Sequence, residues 1–213
     1  MSLRLIGSLT LLVHFSVAVI GQTNAPYTPN SSETSSAVHR LYVEDQEDTK
    51  TIKSDATNAE YLQRVKVRQA TLRTMLAAGQ VTSGDDFLEA AFIFQHGDTA
   101  DDCLFAHVLA MDAMVRGKVS ARWMAAATLD RYLQFAKQPQ VFGTQYIMDP
   151  AHPVHVAGAP FPSGRTLEPY NDTFLSDSVR ADFCIPTLAQ QKQNIAMFNA
   201  GKWPRETMRL SCP

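Results

Sequence analysis

Beyond residue 41 the chain sets apolar positions at helical spacing among polar ones, and residues with capping chemistry mark where each run begins and ends. Thr57 and Glu60 have the spacing of a capping box, and Gly79 supplies a C-terminal stop. Between them Tyr61, Val65, Leu72 and Leu76 fall on one stripe of a helix. Ser83 with Asp86 repeats the box and predicts a second helix ending at Gly97. Asp98 with Asp101 predicts a third, ending at Gly117, with Leu104, Val108, Met111 and Val115 as its apolar face. Ser120 is the expected cap of a fourth helix through about Ala136, with Trp123, Ala127 and Leu133 facing inward. Thr187 with Gln190 opens a fifth that ends at Gly201, with Leu188, Ile195 and Phe198 on one side.

The stretch between the fourth and fifth helices reads differently. Prolines at 139, 150, 153, 160, 162, 169 and 186 exclude long helices there. Val141 to Met148 and Pro153 to Val156 are the expected short strands. The fold class is therefore mainly α: an antiparallel helical bundle with a Pro-rich loop and short β-hairpin excursion near residues 139–186.

Residues 1–21 have the pattern of a secretory signal peptide. Arg4 gives a positive start, Leu5 to Ile20 is mostly apolar, and a cleavage site falls after Gly21 or Ala25. The run is broken by Ser8, Thr10, His14 and Ser16 and is too short for a span, so no stable membrane span is expected after cleavage. Gln22 to Arg40, rich in Ser, Thr, Asn and Pro, reads as a flexible linker. A single helical domain then fills residues 41–213. The expected location is outside the cytoplasm, periplasmic or secreted, where disulfides persist. Cys184 and Cys212 are available to pair there. Cys103 reads as a small buried residue, because Asp101 and Asp102 beside it oppose a thiolate. Asn30-Ser31-Ser32 and Asn171-Asp172-Thr173 fit the glycosylation acceptor pattern.

Composition narrows the functions. The 213 residues, 45% hydrophobic and 19% charged, suit one globular domain. Nineteen Lys+Arg against 21 Asp+Glu give a net charge of -2, so no positive field is available for a nucleic acid backbone. There is no nucleophile elbow, phosphate-binding Gly-rich loop, zinc-protease helix or dinucleotide fingerprint, and no cofactor is expected. Asp149, His152 and His155 offer a His-x-x-His pair, but no third ligand is fixed by spacing, so no metal is expected.

Several polar residues fall where a bundle would bury them. His96 lies four residues after Phe92 and eight after Leu88, at the end of the second helix. It reads first as a histidine bonded to the last carbonyls of the helix, with a general acid or base or an anion ligand as the alternative. Asp130 shares the stripe of Trp123 and Ala127, with Arg131 next to it. It fits either a structural Asp–Arg network or a pocket carboxylate that orients His96. Gln138, Gln140 and Gln145 surround Phe142-Gly143-Thr144, where Gly143 suggests a position that a side chain would block. They suit a polar ligand wall or a set of turn-stabilising bonds.

Phe94-Gln95-His96-Gly97, Leu129-Asp130-Arg131 and the block Pro139-Gln140-Val141-Phe142-Gly143-Thr144-Gln145 follow one another at characteristic spacing. Together they resemble the bacterial domain-of-unknown-function family numbered 6624. Asp45-Gln46 resembles that family's early Asp-Gln, and Val179-Arg180 with Cys184 to Leu188 resembles its late segment. The likeness runs from about Leu41 to Ala200. It departs at Phe142, where Tyr is usual, at Cys184, where Gly is usual, and at Asp48-Thr49-Lys50, which lacks an Arg. The family brings no activity with it. It implies that His96, Asp130, Arg131, Gln140, Gly143, Thr144 and Gln145 belong together.

Two functions follow as expectations. In the first, a polar pocket takes a small or anionic ligand, in a binding or hydrolytic role. His96 is general acid or base, Asp130 orients it, and Arg131 or Arg180 holds an anionic group. Gln140, Gly143, Thr144 and Gln145 form the ligand wall. In the second, the chain is a non-catalytic extracytoplasmic interaction module for an envelope component. Its polar cluster is then structural, and an apolar patch in the 139–186 excursion would favour it.

Overall fold

The structure, a computed structural model, describes residues 32–52, 55–149, 164–202 and 204. In chain order these residues form α1 (Ser32–Thr49), α2 (Asp55–Ala77), α3 (Gly84–Phe94), α4 (Ala100–Val115), a 3-10 turn (Val119–Ala121), α5 (Arg122–Phe135), β1 (Ile147–Met148), β2 (Arg165–Thr166), α6 (Asp177–Asp182) and α7 (Leu188–Asn199). The mainly helical class agrees with the sequence expectation. Helix α3 is the hub. Its Phe87, Ala90, Ile93 and Phe94 meet Val38 of α1, Leu72 of α2, and Ala106, Leu109 and Ala110 of α4. The alanines on facing helices let the backbones approach closely, and Met124 and Ala125 of α5 close the far side of this core. A smaller cluster of Ala126, Phe142 and Ile185 fixes the C-terminal segment to α5. Among the described residues no helix is long and apolar enough to cross a membrane.

Two capping boxes form as expected. Ser83 Oγ accepts from Asp86 N at 3.0 Å while the Asp86 carboxylate accepts from Ser83 N at 3.4 Å. Gln190 Oε1 accepts from Thr187 N at 2.9 Å, with Thr187 Oγ1 accepting in return from Gln190 N. Three helix starts differ. Helix α2 begins at Asp55, before Thr57. Helix α4 is capped by Thr99 rather than Asp98, and Thr99 Oγ1 accepts from Asp102 N at 3.1 Å and donates to Asp102 Oδ2 at 2.7 Å. Ser120 lies inside the 3-10 turn, and α5 follows it with no side-chain cap.

Two larger corrections come from packing. The linker expected through Arg40 is helical from Ser32 onward. Val38 is completely buried, with Leu41 and Tyr42 packed on the same core, so tertiary burial outweighs the weak helix propensity of the Ser/Thr-rich start. In α4 the expected apolar face of Leu104, Val108, Met111 and Val115 is the exposed one. The buried side is Cys103, Ala106, Leu109, Ala110 and Ala113, whose small side chains let α4 seat against α3 and α5.

The hairpin is shorter than expected. Ile147 pairs with Thr166 and Met148 with Arg165 in an antiparallel register. Residues Val141 to Tyr146 form a loop instead of a strand, for a reason given below. The second expected strand, Pro153 to Val156, lies outside the described residues, as do Met1 to Gly21, Asn30, His152 and His155. Cys184 is disulfide-bonded and Cys103 is a free buried thiol. The remaining cysteine, Cys212, lies outside the described residues.

Candidate functional site

Asp130 sits near the end of α5 with no exposed surface. Its Oδ1 accepts from the backbone N–H of Val141 at 2.8 Å and of Phe142 at 3.0 Å. Its Oδ2 accepts from Thr144 N at 2.9 Å and Thr144 Oγ1 at 2.8 Å. Three amides of four consecutive residues, 141, 142 and 144, bent towards one carboxylate cannot also join a strand ladder, which is why residues 141–146 form a loop. Burial pushes the Asp130 carboxyl above its ordinary pKa, against the pull of these four donors. The side chain of Gln140 is equally committed. Its Nε2 donates to the carbonyls of Gln145 and Leu167 and its Oε1 accepts from Gln145 N. Gly143 has φ +76°, and a Cβ there would lie 2.7 Å from Gln191 Nε2 and 2.8 Å from Tyr170 Cζ. The sequence expectation of a blocked position is met, by protein rather than by ligand.

These contacts correct the ligand wall. Asp130, Gln140, Gly143 and Thr144 do come together, but as the internal support of the loop. Asp130 does not orient His96, because its oxygens are occupied by residues 141–144. Arg180 is also withdrawn from any anion. It is 2% exposed, pairs with Asp177 at 3.1 Å, and donates to Leu175 O, Asp172 O and the Tyr170 hydroxyl.

His96 has a different carboxylate. Its Nδ1 lies 2.6 Å from Oδ2 of Asp45, a fully buried residue of α1. A nitrogen so close to a carboxylate carries the proton and donates it. In the neutral ring Nε2 is therefore the acceptor, and the side-chain amide of Gln95 lies 3.1 Å from it. Arg68 of α2 reaches the other Asp45 oxygen at 3.4 Å and Asp48 at 2.7 Å, and Arg64 donates to Asp48 at 2.9 Å. Burial raises the Asp48 carboxyl, but the two guanidinium groups outweigh it and hold the pKa below the ordinary value. The Tyr61 ring meets the His96 ring edge-on at 6.1 Å. Its buried hydroxyl has no hydrogen-bond partner among the described residues, and burial, with the Asp45 charge, raises its pKa.

Arg131 links this cluster to an open cleft. Its Nη1 donates to the carbonyl of Gln95 at 2.8 Å and its Nε to Gln145 Oε1 at 3.2 Å. Gln145 is held in turn by bonds from its Nε2 to Ala127 O and Thr144 Oγ1. Arg131, Gln145, Gln134, Gly97, Tyr146 and Arg165 line a cleft of about 420 Å³, with Phe135, Ile147 and Met148 as its apolar part. The β1–β2 hairpin brings in Arg165, whose Nη1 donates to Tyr146 O at 3.2 Å. Burial lowers the Arg131 pKa, yet an arginine stays charged. Among the described residues neither Arg131 nor Arg165 has a carboxylate within ion-pair distance, whereas Arg64, Arg68, Arg73, Arg116 and Arg180 all do. The Cys103 thiol is pushed up to about 11 by burial, which keeps it protonated at neutral pH.

Of the residues singled out in the sequence, His96, Arg131 and Gln145 are joined by direct contacts that run through Gln95. Four residues of the cluster escaped pattern reading: Arg68, Gln134, Arg165 and, outside the family resemblance, Asp45. The pairs Asp45/Asp48 and Arg64/Arg68, three and four residues apart, were the available signal for two facing helices. Comparison with family models, curated proteins and solved structures finds no match to this chain.

Proposed function

We propose that this chain is an exported protein that binds a small anionic ligand in the cleft at Arg131 and Arg165. The observation that carries this reading is Arg131 itself. It is a desolvated guanidinium with no carboxylate partner among the described residues, held by Gln145 and the Gln95 carbonyl so that Nη2 remains for a ligand. A partly buried cation is usually paired within the fold, so one that faces a cleft without a carboxylate supports an anionic ligand. Arg165 supplies a second donor group across the same cleft. His96 adjoins the cleft residue Gly97, and its bond to Asp45 gives it the arrangement of an oriented general base. A hydrolytic step through His96 would first need the Gln95 amide to leave Nε2, which it occupies at 3.1 Å, so binding is the reading that the arrangement supports. The resemblance to the uncharacterised bacterial family and the apolar N-terminal run support a periplasmic or secreted location, and the disulfide at Cys184 accords with it.

Thermal shift with inorganic phosphate, pyrophosphate and citrate tests the binding reading. A ligand at a hundred times its Kd stabilises the fold by about 2.7 kcal/mol. At least one of these anions is expected to raise Tm, and Arg165→Gln, which leaves the Arg131 bonds in place, is expected to abolish the shift. Absence of a shift with every anion rejects the reading. A second reading, an interaction module with a structural polar cluster, is favoured by the sealed Asp130 network alone. It predicts that His96→Ala lowers Tm while no anion changes it.

A further inference from the structure

The cleft that carries Arg131 and Arg165 is lined by two unlike kinds of surface. Arg131 keeps its Nη2, and Arg165 its Nε and Nη2, after their bonds to Gln95, Gln145 and Tyr146. Beside them Phe135 and Met148 are 41 and 38% exposed, and Ile147 is half-buried. Sites for small organic molecules have this make-up, an apolar lining with a few polar groups that fix orientation. The volume of about 420 Å³ also lies in their range, about 300–1,000 Å³. An inorganic anion on the two guanidinium groups would leave the apolar lining in water.

The backbone around the cleft limits the charge of the ligand. Helix α5 reaches it through Phe135, its last residue, and α3 through Gly97, just past its C-cap Gln95. Both therefore bring the negative ends of their dipoles. The N-terminus of α4 lies behind Gly97, which packs against Asp102, but it is capped by Thr99 and carries Asp101 and Asp102 in its first turn. No free row of helix N–H groups is turned to a phosphate there. Two guanidinium groups set against these opposing charges suit one negative charge better than two or three. A carboxylate has that charge, with one oxygen for each arginine and an organic body attached. We propose that the ligand class is a small organic monocarboxylate with an apolar body, its carboxylate held by Arg131 and Arg165 and its chain lying on Phe135, Ile147 and Met148. This rests on the reading of the two arginines as an anion site and names what that site takes.

Titration of the full chain with acetate, butanoate, hexanoate, octanoate, hexanamide and inorganic phosphate tests this, with Kd read from the amide shifts of Gly97 and Met148. Along the acid series Kd is expected to fall about two- to fourfold for each added CH₂. Hexanamide, which lacks the charge, is expected to bind on the order of tenfold more weakly than hexanoate. Inorganic phosphate is expected to shift the same amides with a Kd on the order of tenfold above that of octanoate. Phe135→Gln with Met148→Thr, at two exposed positions, is expected to leave the circular dichroism spectrum and acetate binding unchanged and to flatten the chain-length dependence. If phosphate and acetate bind but longer acids bind no tighter, the inference is overturned and the anion site stands. If no anion binds, inorganic or organic, both are overturned. A chain-length dependence that survives the double variant places the apolar body elsewhere and overturns the inference. So does a tripeptide with a C-terminal Leu that binds more tightly than octanoate, since the cleft would then be a receptor for a peptide end.

Discussion

Asp130 accepts four hydrogen bonds from residues 141–144, and this count fixes what a neutral replacement does. An Asn side chain must present its NH₂ to one pair of donors, whichever way it is turned. Asp130→Asn is therefore expected to destabilise the fold by about 2–4 kcal/mol, read from urea unfolding, since at least one buried N–H loses its acceptor. An unchanged midpoint would show that the loop does not depend on the carboxylate. Gly143 gives a second residue-scale test. Its φ of +76° and the closeness of Gln191 and Tyr170 leave no room for a methyl group. Gly143→Ala is expected to cost about 1–3 kcal/mol and to loosen the same loop. At this scale the sequence was partly legible. Gly143, Gln145, Arg131 and His96 announced themselves by residue type and position. The carboxylate beside His96 did not, because Asp45 comes from a helix 51 residues away that no local pattern ties to it.

At the scale of elements, the capping boxes at Ser83 and Thr187 were sound guides, while the starts of α2, α4 and α5 and the apolar face of α4 were not. Ser83–Asp86 and Thr187–Gln190 are chemistry confined to four residues, so they form wherever the helix forms. The stripe of α4 misled because its large side chains face solvent while its alanines and cysteine make the core contacts. The start of α1 was hidden for the opposite reason, a polar composition rescued by Val38 and its neighbours. The clasp between α1 and α2 is an electrostatic one and makes a pH prediction. The Asp48 carboxyl is held below its ordinary pKa by Arg64 and Arg68, outweighing burial. Its stabilising contribution is thus fully present above the unfolded value of about 3.9, and it is lost as pH falls through the lower folded value. Asp48→Asn is expected to lower the urea midpoint at neutral pH, with the difference from wild type vanishing under strongly acidic conditions. A difference that persists unchanged in acid would assign the loss to packing instead.

For the whole molecule, two polar systems lie back to back. The sealed one, around Asp130 and Gln140, builds the loop that carries Gln145. The open one runs from Asp45 through His96 and Gln95 to Arg131 and the cleft. The order of motifs in the chain did not separate them, since both draw on the end of α5 and the loop after it. Arg165 was out of reach of sequence reasoning, because only the pairing of Met148 with Arg165 across two short strands delivers it to the cleft. The central proposal is that Arg131 and Arg165, which have no carboxylate partner among the described residues, bind an anion. Its most direct measurement is a ¹H–¹⁵N correlation titration of the protein with pyrophosphate, following the Arg131 Nε–H, the Arg165 Nε–H and the Gly97 amide. Saturable shifts confined to these groups and their cleft neighbours are the predicted result. Shifts scattered over surface lysines, or none at saturating pyrophosphate, contradict it.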